Sequence, residues 1–377
     1  MPLLPGQYGR RRATRLLRGV IHTQYRAASR ISIPFTPPPF PIIEACPSPT
    51  CQCRETPPGL DIERDTPLNG TMAAYAEQVI ISTGRSDWKS KIEEEEEGVL
   101  VRELKTMLGR NGKFSDPYHN VMLTNSSFPP TTADTTTSDL AAAEAVVRAS
   151  DPVAKPGGDP DVDASIAPAR GPPASAFLLP SFTYVPSIPT DSSAIETFIK
   201  AFLLPSQLHQ SHDRLTRAQK NVILRQPERQ KSFIGARKVD EIMILICGHG
   251  GRDERCGKLG PILLAEFEDK LARQNVPVLK DEPVPEALEV NTEVEGYTPA
   301  ARVGLISHIG GHKYAGNVII YIPPGFHSNA LAGKGIWYGR VEPQHVEGIV
   351  AKTVLDGKVI KEMFRGGIGH DREILRL

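Results

Sequence analysis

Five consecutive apolar residues, Ile242 to Ile246, end on Cys247 and run at once into Gly248-His249-Gly250-Gly251. No other stretch constrains the fold so tightly. A continuous apolar run of that length, closed by glycine, predicts a central strand buried on both faces. Cys256 is expected to open the helix that follows, Leu259 to Asn275, with Ile262, Leu263, Phe267 and Leu271 turned inward. Arg302 to Ser307 predicts another strand, and it ends on His308-Ile309-Gly310-Gly311-His312, where the paired glycines argue against a helix. Two thiols and two imidazoles, each pair on a glycine turn, are therefore expected at one rim of one sheet.

Such donors suit a soft or borderline metal centre. The two histidines have the spacing of the zincin helix, but Ile309 stands where its glutamate belongs, which excludes a metalloprotease. Arg252 falls one residue short of the Cys-x5-Arg spacing of a phosphatase. Three readings stay open. A structural zinc site is chemically sound, although zinc fingers space their cysteines by two to four residues. A thiol redox enzyme is possible, although it would pair its cysteines as C-x-x-C. An iron–sulfur site is the third, since thiolates hold such clusters and Rieske centres replace two of them by histidine. A set of unconnected loop residues is the bland alternative. Arg252, Arg255 and the helix terminus mark Cys256 as the thiol expected to ionise. His249 is expected to serve the loop, with a supporting place behind the ligands as the alternative. Arg252, Asp253 and Arg255 are expected to pair with one another or to donate to the site, and Trp337, Tyr338 and Arg340 to be strand core.

Cys46, Cys51 and Cys53 form a separate group in a proline-rich loop. Five cysteines in 377 residues do not make a disulfide scaffold. These three are either redox-active thiols or a surface cluster without function. Residues 1–40 hold seven arginines and no acid, and small and hydroxylated residues accompany them, the composition of a mitochondrial transit peptide. Without those arginines the chain has 37 basic against 44 acidic side chains, a net of −7. That balance excludes a nucleic-acid-binding body. No apolar run approaches a bilayer span, and no glycine motif has the lysine or spacing of a nucleotide site.

The remaining pattern predicts strands at Val79–Thr83 and Val121–Thr124, a helix over 86–108 with Glu93 to Glu97 as a solvated face, and a broken strand from Ala176. A helix capped by Ser192 or Ser193 follows and ends at Pro205; Asn317–Ile322 and Gly335–Val341 are strands, and Pro343–Leu355 is a helix. Residues 129–175 are poor in large apolar groups and are expected to be disordered, with at most a transient helix over 141–149. The order of elements is that of a thioredoxin-like domain, present once clearly and once in degenerate form. The fold class expected is α/β: two thioredoxin-like domains, a mixed sheet flanked by helices, and a disordered arm and insertion. The divisions are 1–41 (arm), 42–205, 206–238 (linker) and 239–377.

The text CGHGGRDERCG…SHIGGHKYAGNVIIY…GIWYGRVEP, with CPSPTCQC…PPGLDIERDTPLNGTMAAYAEQVIISTGRSDWKSKIE before it, closely resembles the sucrase/ferredoxin-like family of fungi. The resemblance spans most of 46–128 and 176–365, and the arm points to the family's altered-inheritance-of-mitochondria branch. It implies a non-Rieske [2Fe-2S] cluster on a thioredoxin fold, with Cys247 and Cys256 on one iron and His308 and His312 on the other. It further implies a mitochondrial electron carrier, more than a stand-alone catalyst, acting in redox or thiol homeostasis with an unidentified redox partner protein. Neutral imidazoles in place of thiolates ease reduction, and titratable ring N–H groups would couple it to protons. The alternative function is a thiol oxidoreductase or redox chaperone that uses Cys46, Cys51 and Cys53, with the other site structural.

Overall fold

The computed structural model describes residues 37–131, 172–283 and 297–377. The expected transit arm, apart from residues 37–41, lies outside these residues, as do most of the expected insertion and the helix over 141–149. Among the described residues the strands are β1 (Ile42–Ile43), β2 (Glu77–Ser82), β3 (Val121–Ser126), β4 (Ala174–Leu179), β5 (Thr183–Ile188), β6 (Arg237–Lys238) and β7 (Ile242–Cys247). They continue with β8 (Ala301–Ile306), β9 (Val318–Ile322), β10 (Lys334–Tyr338), β11 (Val359–Ile360), β12 (Phe364–Ile368) and β13 (Ile374–Leu375). The α-helices are α1 (Val99–Leu108), α2 (Ser192–Phe198), α3 (Arg217–Ile223), α4 (Glu254–Arg273) and α5 (Pro343–Ile349).

The protein is mixed α/β, built on one large mixed sheet. Its strand order is β13-β12-β10-β9-β7-β8-β3-β2-β4-β5-β6. The apolar run β7 is buried at all six positions, parallel to β8 on one side and antiparallel to β9 on the other. The same arrangement occurs twice. A parallel pair (β2 and β3, β7 and β8) is followed by an antiparallel hairpin (β4 and β5, β9 and β10) on the side of its first strand. Each copy then closes with a helix that widens into a π-helical segment, 199–203 after α2 and 350–355 after α5. The copies meet where β3 and β8 run antiparallel, at Ser126 and Ile306. Hydroxyls complete that short seam: Ser307 Oγ accepts from Asn125 N at 3.0 Å, and Ser127 Oγ from Leu305 N at 2.9 Å.

Three local expectations change. The helix predicted over 86–108 begins only at Val99, after a 3-10 turn at Ile92–Glu94. Glu95 is the reason. It is buried, and its carboxylate accepts from Lys89 N and from Arg85 Nη1, so it organises a loop instead of lying on a solvated face. The cap of α2 is Asp191, whose Oδ1 accepts from Ala194 N at 3.0 Å, in place of either serine. The cysteine loop at 46–53 follows β1, which pairs with β11, so it docks on the second copy of the strand plan although it precedes the first in sequence.

Candidate metal centre

Cys247 closes β7 and Cys256 is the third residue of α4; both are buried. Asp253 caps the helix by accepting from Arg255 N at 3.1 Å. The loop between the cysteines lies directly on the helix because both surfaces are glycine. A Cβ on Gly257 would fall 2.5 Å from Gly250 Cα, and one on Gly260 would fall 2.6 Å from Gly248 Cα. Asp87, from the first copy, fixes the loop tip by accepting from Gly251 N at 3.1 Å.

The histidine turn uses positive φ at Gly310 (85°) and Gly311 (76°), a region open to glycine at no steric cost. His308 and His312 face each other with ring centroids 5.3 Å apart and planes tilted by 38°. The Nδ1 atom of each ring is buried and has no hydrogen-bond partner. Among the described residues, no three His, Cys, Asp or Glu side chains converge around a single ion position. Cys247 has both the Cys256 thiol and the His308 ring beside it.

The thiols are not equivalent. The hydrogen bond from Cys256 holds the Cys247 thiol well below its ordinary range, against the opposing effect of burial and with help from His308. Cys256 is raised by that same hydrogen bond, by burial and by the charge on Cys247. Cys256, the thiol expected to ionise, thus donates its hydrogen bond to Cys247. Arg255 is drawn away into a 2.8 Å ion pair with Asp253, and Arg252 Nη1 donates to Ser90 Oγ at 3.2 Å.

Two residues behind the ligands escaped the sequence reading or were undervalued by it. His249 is buried, not a free loop residue: its Nε2 donates to the carbonyls of Trp88 and Lys89 (3.1 and 3.0 Å), and its Nδ1 accepts from His308 N at 3.0 Å. It thus ties both ligand turns to the first copy. Arg365, on β12, is buried and its guanidinium donates to Asn317 Oδ1 (2.6 Å), Gly310 O (3.3 Å), Thr71 O (2.8 Å) and Thr71 Oγ1 (3.1 Å). All four acceptors are neutral. Burial pushes its pKa down to about 10, so it keeps its charge at neutral pH. The only signal in the sequence was a lone cation in Phe364-Arg365-Gly366-Gly367-Ile368. Trp337 and Tyr338 are fully buried strand core, as expected, whereas Arg340 lies beyond β10 and donates to Glu63 Oε2 at 3.0 Å.

Fold and site together define a mixed α/β protein with a buried thiol–imidazole centre. The chain belongs to the sucrase/ferredoxin-like family, whose model matches residues 68–366. That span includes Cys247, Cys256, His308 and His312 and leaves out Cys46, Cys51 and Cys53. The chain is similar to altered inheritance of mitochondria protein 32 of Debaryomyces hansenii, 29% identical over 335 residues, covering 86% of this chain and 96% of that one. The protein of the same name from Meyerozyma guilliermondii is 32% identical over 182 residues (48% and 53%). That of Clavispora lusitaniae is 42% identical over 127 residues (33% and 34%). No solved structure matches this chain. No helix among the described residues is long and apolar enough to cross a membrane.

Proposed function

We propose that this chain is a mitochondrial redox protein that carries electrons on a [2Fe-2S] cluster held by Cys247, Cys256, His308 and His312. The observation that carries the reading is the pair of buried, unpartnered Nδ1 atoms on His308 and His312. Leaving a buried polar group without a partner costs about 1–3 kcal/mol, and two such atoms beside two buried thiols favour a ligand that takes them up. Two thiols and two imidazoles are a donor set that suits an iron–sulfur cluster with one like pair on each iron. Cys247 and Cys256 hold one iron on this reading, and His308 and His312 the other. When bound, such a cluster supplies one-electron transfer.

The chain's own residues do the rest. Burial of both cysteines keeps water from the sulfurs. Arg365 places a fixed positive charge beneath the histidine turn, which favours added negative charge at the site. His249 holds the two ligand turns in register. The repeated strand order fits two thioredoxin-like units within 42–205 and 239–377, with 206–238 between them. Residues 1–41 serve as the transit segment, consistent with the name the relatives carry. Electron donor and acceptor are separate proteins, and the role lies in redox or thiol homeostasis.

Metal analysis of protein purified without oxygen tests the proposal. The expected result is a red-brown protein with two irons and two labile sulfides per chain. Colourless protein with one zinc per chain would overturn it.

A further inference from the structure

The second cysteine group is divided by the fold. Cys46 is half-buried under α5, its Sγ donating to His345 O at 3.4 Å, and burial followed by the charge of Glu362 pushes its thiol up to about 12. Cys51 has different surroundings. Lys270 Nζ lies 2.9 Å from its Sγ, and Glu347 Oε2 lies 3.1 Å from it. Only 3% of the Lys270 side chain is exposed; its other partners are Glu266 Oε1 at 3.1 Å, Gln52 O at 3.3 Å and Glu347 Oε2 at 3.9 Å. Lys270 thus pairs with Glu266 and Glu347 while also touching the sulfur, and a cation in contact with a cysteine sulfur is the setting in which cysteines act as nucleophiles. A cavity of about 190 Å³ opens beside the sulfur, lined by Thr50, Cys51, Lys270, Arg273 and Glu347. Cys53 is near enough to feel the charges of both Lys270 and Cys51. The Cα atoms of two residues separated by one lie at most about 7 Å apart, close to the span a disulfide bridges.

From this geometry we infer a second active thiol site, Cys51 with Lys270 and Glu347, that exchanges with small disulfides bearing carboxylates and uses Cys53 to resolve the adduct. Cys51 gives its proton to solvent and Lys270 holds the sulfur anion, while Glu347 stays ionised, kept below the ordinary carboxylate range first by its hydrogen bond from Thr50, and anchors the Thr50–Cys51 loop. That sulfur attacks one sulfur of the substrate disulfide: a Cys51–substrate S–S bond forms, the substrate's S–S bond breaks, and the leaving thiolate takes a proton from solvent. Cys53, losing its proton to solvent, then attacks the Cys51 sulfur and releases the second substrate thiol. The dithiol is oxidised by two electrons and the substrate disulfide is reduced by two. The exposed cation Arg273 on the cavity wall suits the carboxylates. The site is independent of the cluster reading.

The test uses the full-length protein with site-resolved mass spectrometry. With limiting iodoacetamide at pH 7, Cys51 is expected to be modified at least about tenfold faster than Cys46. Lys270→Gln should slow Cys51 by about tenfold and Lys270→Arg should retain most of the rate. With oxidised glutathione, the wild type should yield a Cys51–Cys53 disulfide, and Cys53→Ser a glutathione adduct trapped on Cys51. The inference fails if Cys51 reacts no faster than Cys46, if folded Lys270→Gln protein reacts at the wild-type rate, or if the adduct persists on Cys51 with Cys53 intact. The first and last comparisons need no variant and so do not depend on how Lys270→Gln folds.

Discussion

Helix α4 has a cysteine site at each end, and the two sites differ in almost every physical respect. At its first turn Cys256 meets Cys247 in a buried space shared with imidazoles and the Arg365 guanidinium, with the Asp253–Arg255 ion pair at its edge. At its last turn Lys270, about 21 Å further along the helix axis, meets Cys51 among carboxylates and beside open space. Water-free thiols with neutral co-ligands suit a bound cofactor; a half-buried thiol with an ammonium and a carboxylate suits covalent exchange. Cysteine spacing alone does not separate these chemistries. Their surroundings do.

The largest expected effect is on cofactor content. Cys247→Ser or Cys256→Ser should abolish bound iron, whereas Cys51→Ser and Cys53→Ser should leave iron per chain at the wild-type value. Iron loss in the second pair would break the separation between the sites. Next in size is Arg365→Met, which strips a donor from Gly310 O, Thr71 O and Asn317 Oδ1. It should lower unfolding free energy by about 3 kcal/mol, read by denaturant titration, and move the midpoint potential downward. An unchanged potential would mean that Arg365 serves packing alone. His249→Ala removes the acceptor for His308 N and the donor to Trp88 O and Lys89 O. A loss of about 2 kcal/mol, with faster iron release to a chelator, is expected. His308→Cys should keep a cluster and lower its potential, because a thiolate adds negative charge.

The smallest effect concerns pH. Asp253 is held below the ordinary carboxylate range first by its hydrogen bond from Arg255, against burial, and then by Arg255 N. Since its folded pKa is depressed, the stability it contributes is present above its unfolded value near 3.9 and is lost as pH falls through the folded value. Asp253→Asn keeps a capping oxygen and removes the ion pair. It should cost about 1 kcal/mol at pH 7, and the difference from wild type should vanish near pH 2. A difference that stays constant with pH would assign the whole effect to the cap.

Much of this was legible in the chain itself. The apolar run of β7, the glycines around Cys247 and Cys256, and Gly310 and Gly311 are local signals, and local sterics and burial act on them directly. The strand ends that carry Cys247 and the His308 turn, and the family, were readable for that reason. The extent of α1, the buried Glu95 and the cap at Asp191 were not, because a carboxylate that turns back on its own loop has the same sequence appearance as a solvated one.

Residues far apart in sequence decided the rest. His249 reaches Trp88 and Lys89, Arg365 reaches Thr71 and Gly310, and Lys270 reaches Cys51 across more than two hundred positions. The sequence alone determined which donors the protein carries and that two pairs end adjacent strands. Only the tertiary structure decided that Cys256 donates to Cys247, and that Cys51 and not Cys46 meets an ammonium. The reason is that a thiol's proton affinity depends on burial and on neighbouring charges within a few ångströms, and folding supplies those neighbours.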